Sequence, residues 1–174
     1  MPAAPGVYLL LCDLAAPADV RVRSGRRFAL RAGCYVYTGS ARGPGGLAAR
    51  LGRHLRGAAR AHWHIDFLLQ SAVAGGCICL SDAIADGSSP VTLPRDISGD
   101  ECMLADLAGG LPGAEVVPGF GASDCACRGH LIRLGEHGSA HKLSEWLEAA
   151  AVASGREWPA FTIAERGEVD HPNP

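Results

Sequence analysis

Seven residues, Gly33-Cys34-Tyr35-Val36-Tyr37-Thr38-Gly39, constrain the fold more than any other stretch of the chain. β-branched and aromatic side chains fill the run and a glycine bounds each end, which suits the pleated surface of a strand. A second run, Gly6 to Cys12 (GVYLLLC), is apolar throughout and stops at Asp13 and the turn-prone stretch Ala15 to Asp19. It predicts a buried strand. Val20 to Ser24 alternates apolar with charged or polar residues and predicts a half-exposed strand that ends at Gly25, with Phe28 to Leu30 continuing the same sheet.

Helical periodicity begins after a Gly/Pro loop, Ser40 to Gly46. Leu47, Leu51 and Leu55 recur at i, i+4 and i+8 and predict a helix over Leu47–Arg56, with Arg50, Arg53 and His54 on its polar flank. Trp63 to Gln70 predicts a short second helix with Trp63 and Ile65 as packing anchors. Cys77 to Leu80 predicts a strand, Ala85 to Asp96 a loop, and Glu101 to Leu107 a third helix behind Ser98. A glycine-rich turn region, Gly119 to Gly129, precedes a last strand, His130 to Leu134. Lys142 to Ala153 is amphipathic, with Leu143, Trp146, Leu147 and Ala150 on one face, and a loose polar tail follows Gly155. Strands first, then helices mixed with strands, predict an α+β or small three-layer α/β domain. Its short sheet, mixed or antiparallel, is flanked by helices over residues 1–134; residues 135–174 form a C-terminal helical appendage and tail.

A chain of 174 residues suits one such domain, and at this size about 70% of the unfolded surface is buried without staples. No apolar run near the start approaches the roughly 20 residues a membrane helix needs, and no basic segment of a secretory signal precedes it. Seven cysteines are an odd number. They are expected as reduced thiols in the cytoplasm rather than as a disulfide framework, with metal binding open. Net charge is only −2, yet it is unevenly spread: residues 21–60 hold ten arginines and no Asp or Glu, leaving −12 for the remainder. The ratio of fifteen Arg to one Lys goes with the Ala and Gly richness of the chain and carries little weight by itself. The absence of acids over forty residues carries more, and it predicts a basic face for a polyanion.

Tyr8 closes Gly6-Val7-Tyr8, and Tyr37 stands in Tyr35-Val36-Tyr37-Thr38-Gly39-Ser40-Ala41. Gly46-Leu47-Ala48-Ala49-Arg50 and Arg53-His54 follow. Next come Trp63-His64-Ile65-Asp66, Glu101, and Gly119-Phe120-Gly121-Ala122-Ser123-Asp124-Cys125-Ala126-Cys127-Arg128-Gly129-His130. This ordered set resembles the GIY-YIG endonuclease superfamily, in particular a small stand-alone branch of it, over roughly residues 5–134. The resemblance implies metal-dependent hydrolysis of phosphodiesters in branched, nicked or damaged DNA, as in repair. Tyr8 would orient or deprotonate the attacking water and Tyr37 would hold the hydrogen-bonding network. Arg50 would contact the scissile phosphate through its planar fork, and Glu101 would hold Mg²⁺ or Mn²⁺. Arg42, Arg53, His54 and Arg56 are the expected DNA contacts. Two positions depart from the superfamily pattern: Thr38 replaces an aliphatic residue, and the late asparagine has no counterpart, Asn173 being the only Asn.

Other roles fit the same residues. Tyr8 and Tyr37 suit a packed core, and Arg50 suits a solvated surface. Ser98-Gly99-Asp100-Glu101 reads as a capping box in which Glu101 serves only the helix end; Asp100 and Asp66 are then the remaining carboxylates. Cys125-x-Cys127-x-x-His130 offers three zinc ligands, with His62, His64, Cys77, Cys79 or Cys102 as the fourth. Alternatively, both thiols of Cys-x-Cys share one strand face and simply pack. Three functions follow: a DNA endonuclease, a non-catalytic nucleic-acid-binding module of the same fold, and a zinc-stabilised domain that docks a protein partner through Trp146 and Leu147.

Overall fold

β1 (Gly6–Leu14) and β4 (Gly33–Ser40) lie side by side at the centre of a six-stranded sheet ordered β6-β7-β4-β1-β5-β8. The computed structural model describes residues 3–56, 60–81, 100–135, 143, 145–146, 149 and 161–165. The outer strands are β5 (Val73–Ser81), β6 (Glu115–Val116), β7 (Leu131–Gly135) and β8 (Phe161–Glu165). Every neighbouring pair is antiparallel. A separate hairpin joins β2 (Ala18–Arg21) to β3 (Arg27–Leu30), so Phe28 to Leu30 pairs outside the main sheet. The helices bounded among the described residues are α1 (Gly46–Arg56), α2 (His64–Leu68) and α3 (Asp100–Gly109), and Leu143, Glu145, Trp146 and Ala149 are helical as well.

The continuous apolarity of β1 has a plain cause: both sheet faces are covered. Successive side chains of a strand point to opposite faces. Tyr8, Leu10 and Cys12 therefore join Tyr35 and Tyr37 in one core with Leu47 and Leu51 of α1, Ile65 and Leu68 of α2, and Phe28 of the hairpin. Val7, Leu9, Leu11 and Val36 face the other way, onto Leu104 and Ala108 of α3, Ile78, Ile132 and the buried Leu143. Leu9 and Leu10 are both fully buried, and truncating either to Ala costs about 2–5 kcal/mol. Trp146, expected to dock a partner, packs against this second core.

Three expectations change. β7 begins at Leu131 and is not the last strand, because Phe161–Glu165 pairs with β5 through Leu80↔Phe161 and Ile78↔Ile163. That stretch of the supposed tail is an edge strand. Residues 121–130 form no strand; the loop is tied down where His130 N donates to Phe120 O (2.7 Å) and Thr38 N donates to His130 O (2.9 Å). Cys-x-Cys therefore owes nothing to strand alternation. The Ser98 cap, the 85–96 loop, Leu147, Ala150 and Asn173 lie outside the described residues. Among the described residues no helix is long and apolar enough to cross a membrane.

Candidate active site and metal cluster

Tyr8, Tyr37, Arg50 and Glu101 come from β1, β4, α1 and α3, and all four line one cavity of about 450 Å³. The two central strands set the tyrosines. Tyr8 and Tyr37 share a sheet face with ring centroids 6.5 Å apart. In the β1–β4 register Tyr8 lies opposite Gly39, where a Cβ would sit 2.4 Å from the Tyr8 Cζ and Oη atoms. The neighbouring ring, not a turn, therefore demands glycine there. Gly121 meets both requirements at once: its φ is +75°, and a Cβ would lie 3.0 Å from the Tyr37 ring and from His130 Cβ.

Arg50 places its guanidinium over the Trp63 ring, 4.2 Å from the centroid, a cation–π contact that aims the arginine along the cavity wall. Trp63 is 42% exposed, so it is not the packing anchor its sequence suggested; Ile65, fully buried, is.

His54 departs furthest from expectation. The polar-flank reading made it a DNA contact, but the ring is buried. Its Nε2 lies 3.0 Å from the Tyr8 hydroxyl and its Nδ1 lies 3.0 Å from Asp66 Oδ1. The carboxylate can only accept, so Nδ1 carries a proton for Asp66 and Nε2 turns its lone pair to Tyr8. Asp66 Oδ2 also accepts from Arg53 Nη2 (2.8 Å) and from the His62 and Trp63 amides (2.9 and 3.0 Å). Burial alone would raise the Asp66 carboxyl, but the bonds from His54, Arg53 and the two amides outweigh it and hold the group well below the usual carboxylate range. Burial, with Tyr37 alongside, pushes the Tyr8 hydroxyl well above its ordinary value. Tyr8 is thus a neutral phenol whose proton points to His54 Nε2 as its acceptor among the described residues.

The acid-free arginine block of the sequence is not acid-free in space. Arg53 is tied to Asp66 and to Arg60 O, so it is no free phosphate contact. Arg27 pairs with Asp19, and Arg31 with Glu115. Arg42 and Arg56 remain on the surface, and Arg42 also lines the cavity.

Across the cavity, one ligand atom each from Cys102, Cys125, Cys127 and His130 lies within 4.8 Å of the others. This Cys/His cluster could hold a metal ion such as zinc. Of the five candidate fourth ligands the fold selects Cys102. Cys77 and Cys79 instead face each other inside β5, with their sulfurs 4.0 Å apart. Glu101 Oε1 accepts from His130 Nδ1 at 2.8 Å. Sequence reasoning missed two partners: Asp66 as the anchor of His54, and Asp124, whose exposed carboxylate borders the same cavity.

Residues 7–152 match the model of a protein family described as a domain of unknown function, DUF123. Neither a curated protein nor a solved structure matches the chain.

Proposed function

The chain belongs to the DUF123 family, and from that premise we propose that it is a GIY-YIG-type nuclease that hydrolyses DNA phosphodiester bonds with a divalent cation. One observation carries the reading: Tyr8, Tyr37, Arg50 and Glu101 meet at a single cavity, and Tyr8 is backed by a buried histidine–carboxylate pair. Core aromatics and solvated charges have no reason to converge in this way.

The Tyr8 hydroxyl donates to His54 Nε2 and keeps its oxygen lone pairs for a water in the cavity. As that water attacks phosphorus, its proton passes to Tyr8 Oη while the Tyr8 proton passes to His54 Nε2. Asp66 stabilises the imidazolium that results. No phenolate forms, so the high Tyr8 pKa is no obstacle. Arg50 offers two parallel donors to the phosphate oxygens as charge builds on them. Tyr37, Phe120 and Phe28 stack edge to face beside Tyr8, and the inner end of the relay, His54 and Asp66, is itself buried.

The residues present fit a hard cation. Glu101 and Asp124 bring carboxylates to the same cavity, and Mg²⁺ typically takes one or two carboxylates and retains several waters. Glu101 Oε1 is committed to His130, which leaves Oε2 for the cation. Bound there, the ion would supply Lewis-acid stabilisation of the phosphate and the leaving oxygen. The test is cleavage of nicked, flapped and four-way DNA with Mg²⁺ or Mn²⁺ by wild type, Arg50→Ala and Glu101→Gln. Both variants should lose at least about 10²-fold in rate, the usual effect of removing one electrostatic element. Metal-free DNA binding by Glu101→Gln should persist. Activity unchanged in both variants overturns the active site built on Arg50 and Glu101; no cleavage by wild type on any substrate overturns the nuclease reading and leaves a nucleic-acid-binding module.

A further inference from the structure

The thiol side of the cavity is arranged for a second, softer metal. His130 Nε2 lies 3.5 Å from Cys125 Sγ and 3.8 Å from Cys102 Sγ, and Cys127 completes the group within 4.8 Å. A tetrahedral zinc ion, with Zn–S near 2.3 Å and Zn–N near 2.0 Å, sets its ligand atoms about 3.5–3.8 Å apart. The cluster already has close to that spacing, although the ligands come from α3 and from a loop 23 residues further along the chain. All three cysteines are free thiols.

The imidazole is also turned the right way. His130 is buried, and its Nδ1–H donates to Glu101, which leaves the Nε2 lone pair facing the sulfurs. A ligating histidine whose other nitrogen donates to a carboxylate is the usual arrangement around protein-bound zinc. We propose that Cys102, Cys125, Cys127 and His130 hold one zinc ion in a closed tetrahedral site, with Glu101 orienting His130. Four protein ligands leave no open position, so the ion is structural. Its consequence reaches the cavity through the chain. Cys102 follows Glu101 directly and Cys125 follows Asp124, so the ion clasps the first turn of α3 to the 121–130 loop. That clasp fixes both carboxylates that face the cavity.

The zinc site stands independently of the nuclease reading and is tested without an activity assay. Protein purified under reducing conditions without added metal should contain about one zinc per chain. Replacement by Co²⁺ should give the strong visible bands of a tetrahedral thiolate site. Cys127→Ser and His130→Gln should lose the ion, whereas Cys34→Ser, outside the cluster, should keep it. Glu101→Gln should retain one site per chain with affinity lowered about 10–100-fold, the usual effect of losing a carboxylate behind a ligating histidine. Folded, reduced wild-type protein that holds no zinc and gives no Co²⁺ bands overturns the proposal, as does a disulfide among the three cysteines. The wild-type titration decides even if Cys127→Ser fails to fold.

Discussion

Replacing Asp66 with Asn probes the buried network at its densest point. The side chain is 1% exposed and accepts four hydrogen bonds, from His54, Arg53 and the His62 and Trp63 amides. Asn keeps the shape but exchanges one acceptor oxygen for an NH₂ group, which sets donor against donor and leaves Arg53 without its counter-charge. Removing one partner of a buried pair costs about 3–5 kcal/mol. The Arg53 side chain is 38% exposed and recovers some hydration, so the low end, about 3 kcal/mol, is expected. For a chain of this size that corresponds to a fall in Tm of about 6–12 °C. Urea denaturation at pH 7 should give the same loss with an unchanged m value. The native Asp66 carboxyl titrates below its unfolded value near 3.9. Its contribution is therefore complete above that value and drains away as the pH falls through the native one. Wild type and Asp66→Asn should differ most near neutrality and converge in acid. A loss below about 1 kcal/mol, or a gap that stays constant from pH 7 to pH 3, would refute the reasoning.

Gly39→Ala should push the Tyr8 ring off His54, at a stability cost of about 1–3 kcal/mol for overpacking, read by chemical denaturation, with cleavage falling in step. Arg42→Glu should weaken DNA binding and flatten its salt dependence, because Arg42 is exposed at the cavity mouth. Arg27→Glu, at a residue outside the cavity lining, should change the salt slope less in the same titration. Trp63→Ala frees Arg50 from its stacking partner at a stability cost of about 1 kcal/mol or less. Its cleavage rate should fall while Tm stays nearly constant.

The central strands were legible because their burial on both faces writes an unbroken apolar run into the sequence. α1 was legible from Leu47 and Leu51. Yet His54, three residues beyond Leu51 and seven beyond Leu47, lies on that same buried stripe, and its polarity concealed the fact. Arg53 was misread for a related reason: the nearest carboxylate in space, Asp66, is thirteen residues away and belongs to another helix. The cysteine cluster was visible in Cys125, Cys127 and His130, but the choice of Cys102 depends on how α3 packs against the sheet, which no local spacing encodes. β8 is five residues long and apolar only at Phe161, Ile163 and Ala164, too weak a signal to stand out from its polar surroundings.

Cleavage by Tyr8→Phe is the most direct test of the central claim. The substitution keeps the ring packed against Tyr37 and removes only the hydroxyl that links the cavity to His54. With Mg²⁺ or Mn²⁺ and branched or nicked DNA, wild type should cleave and Tyr8→Phe should be slower by at least about 10²-fold, the range expected for losing general acid–base catalysis, with DNA binding and zinc content unchanged. Cleavage by Tyr8→Phe at the wild-type rate would contradict the relay and the active site built around it.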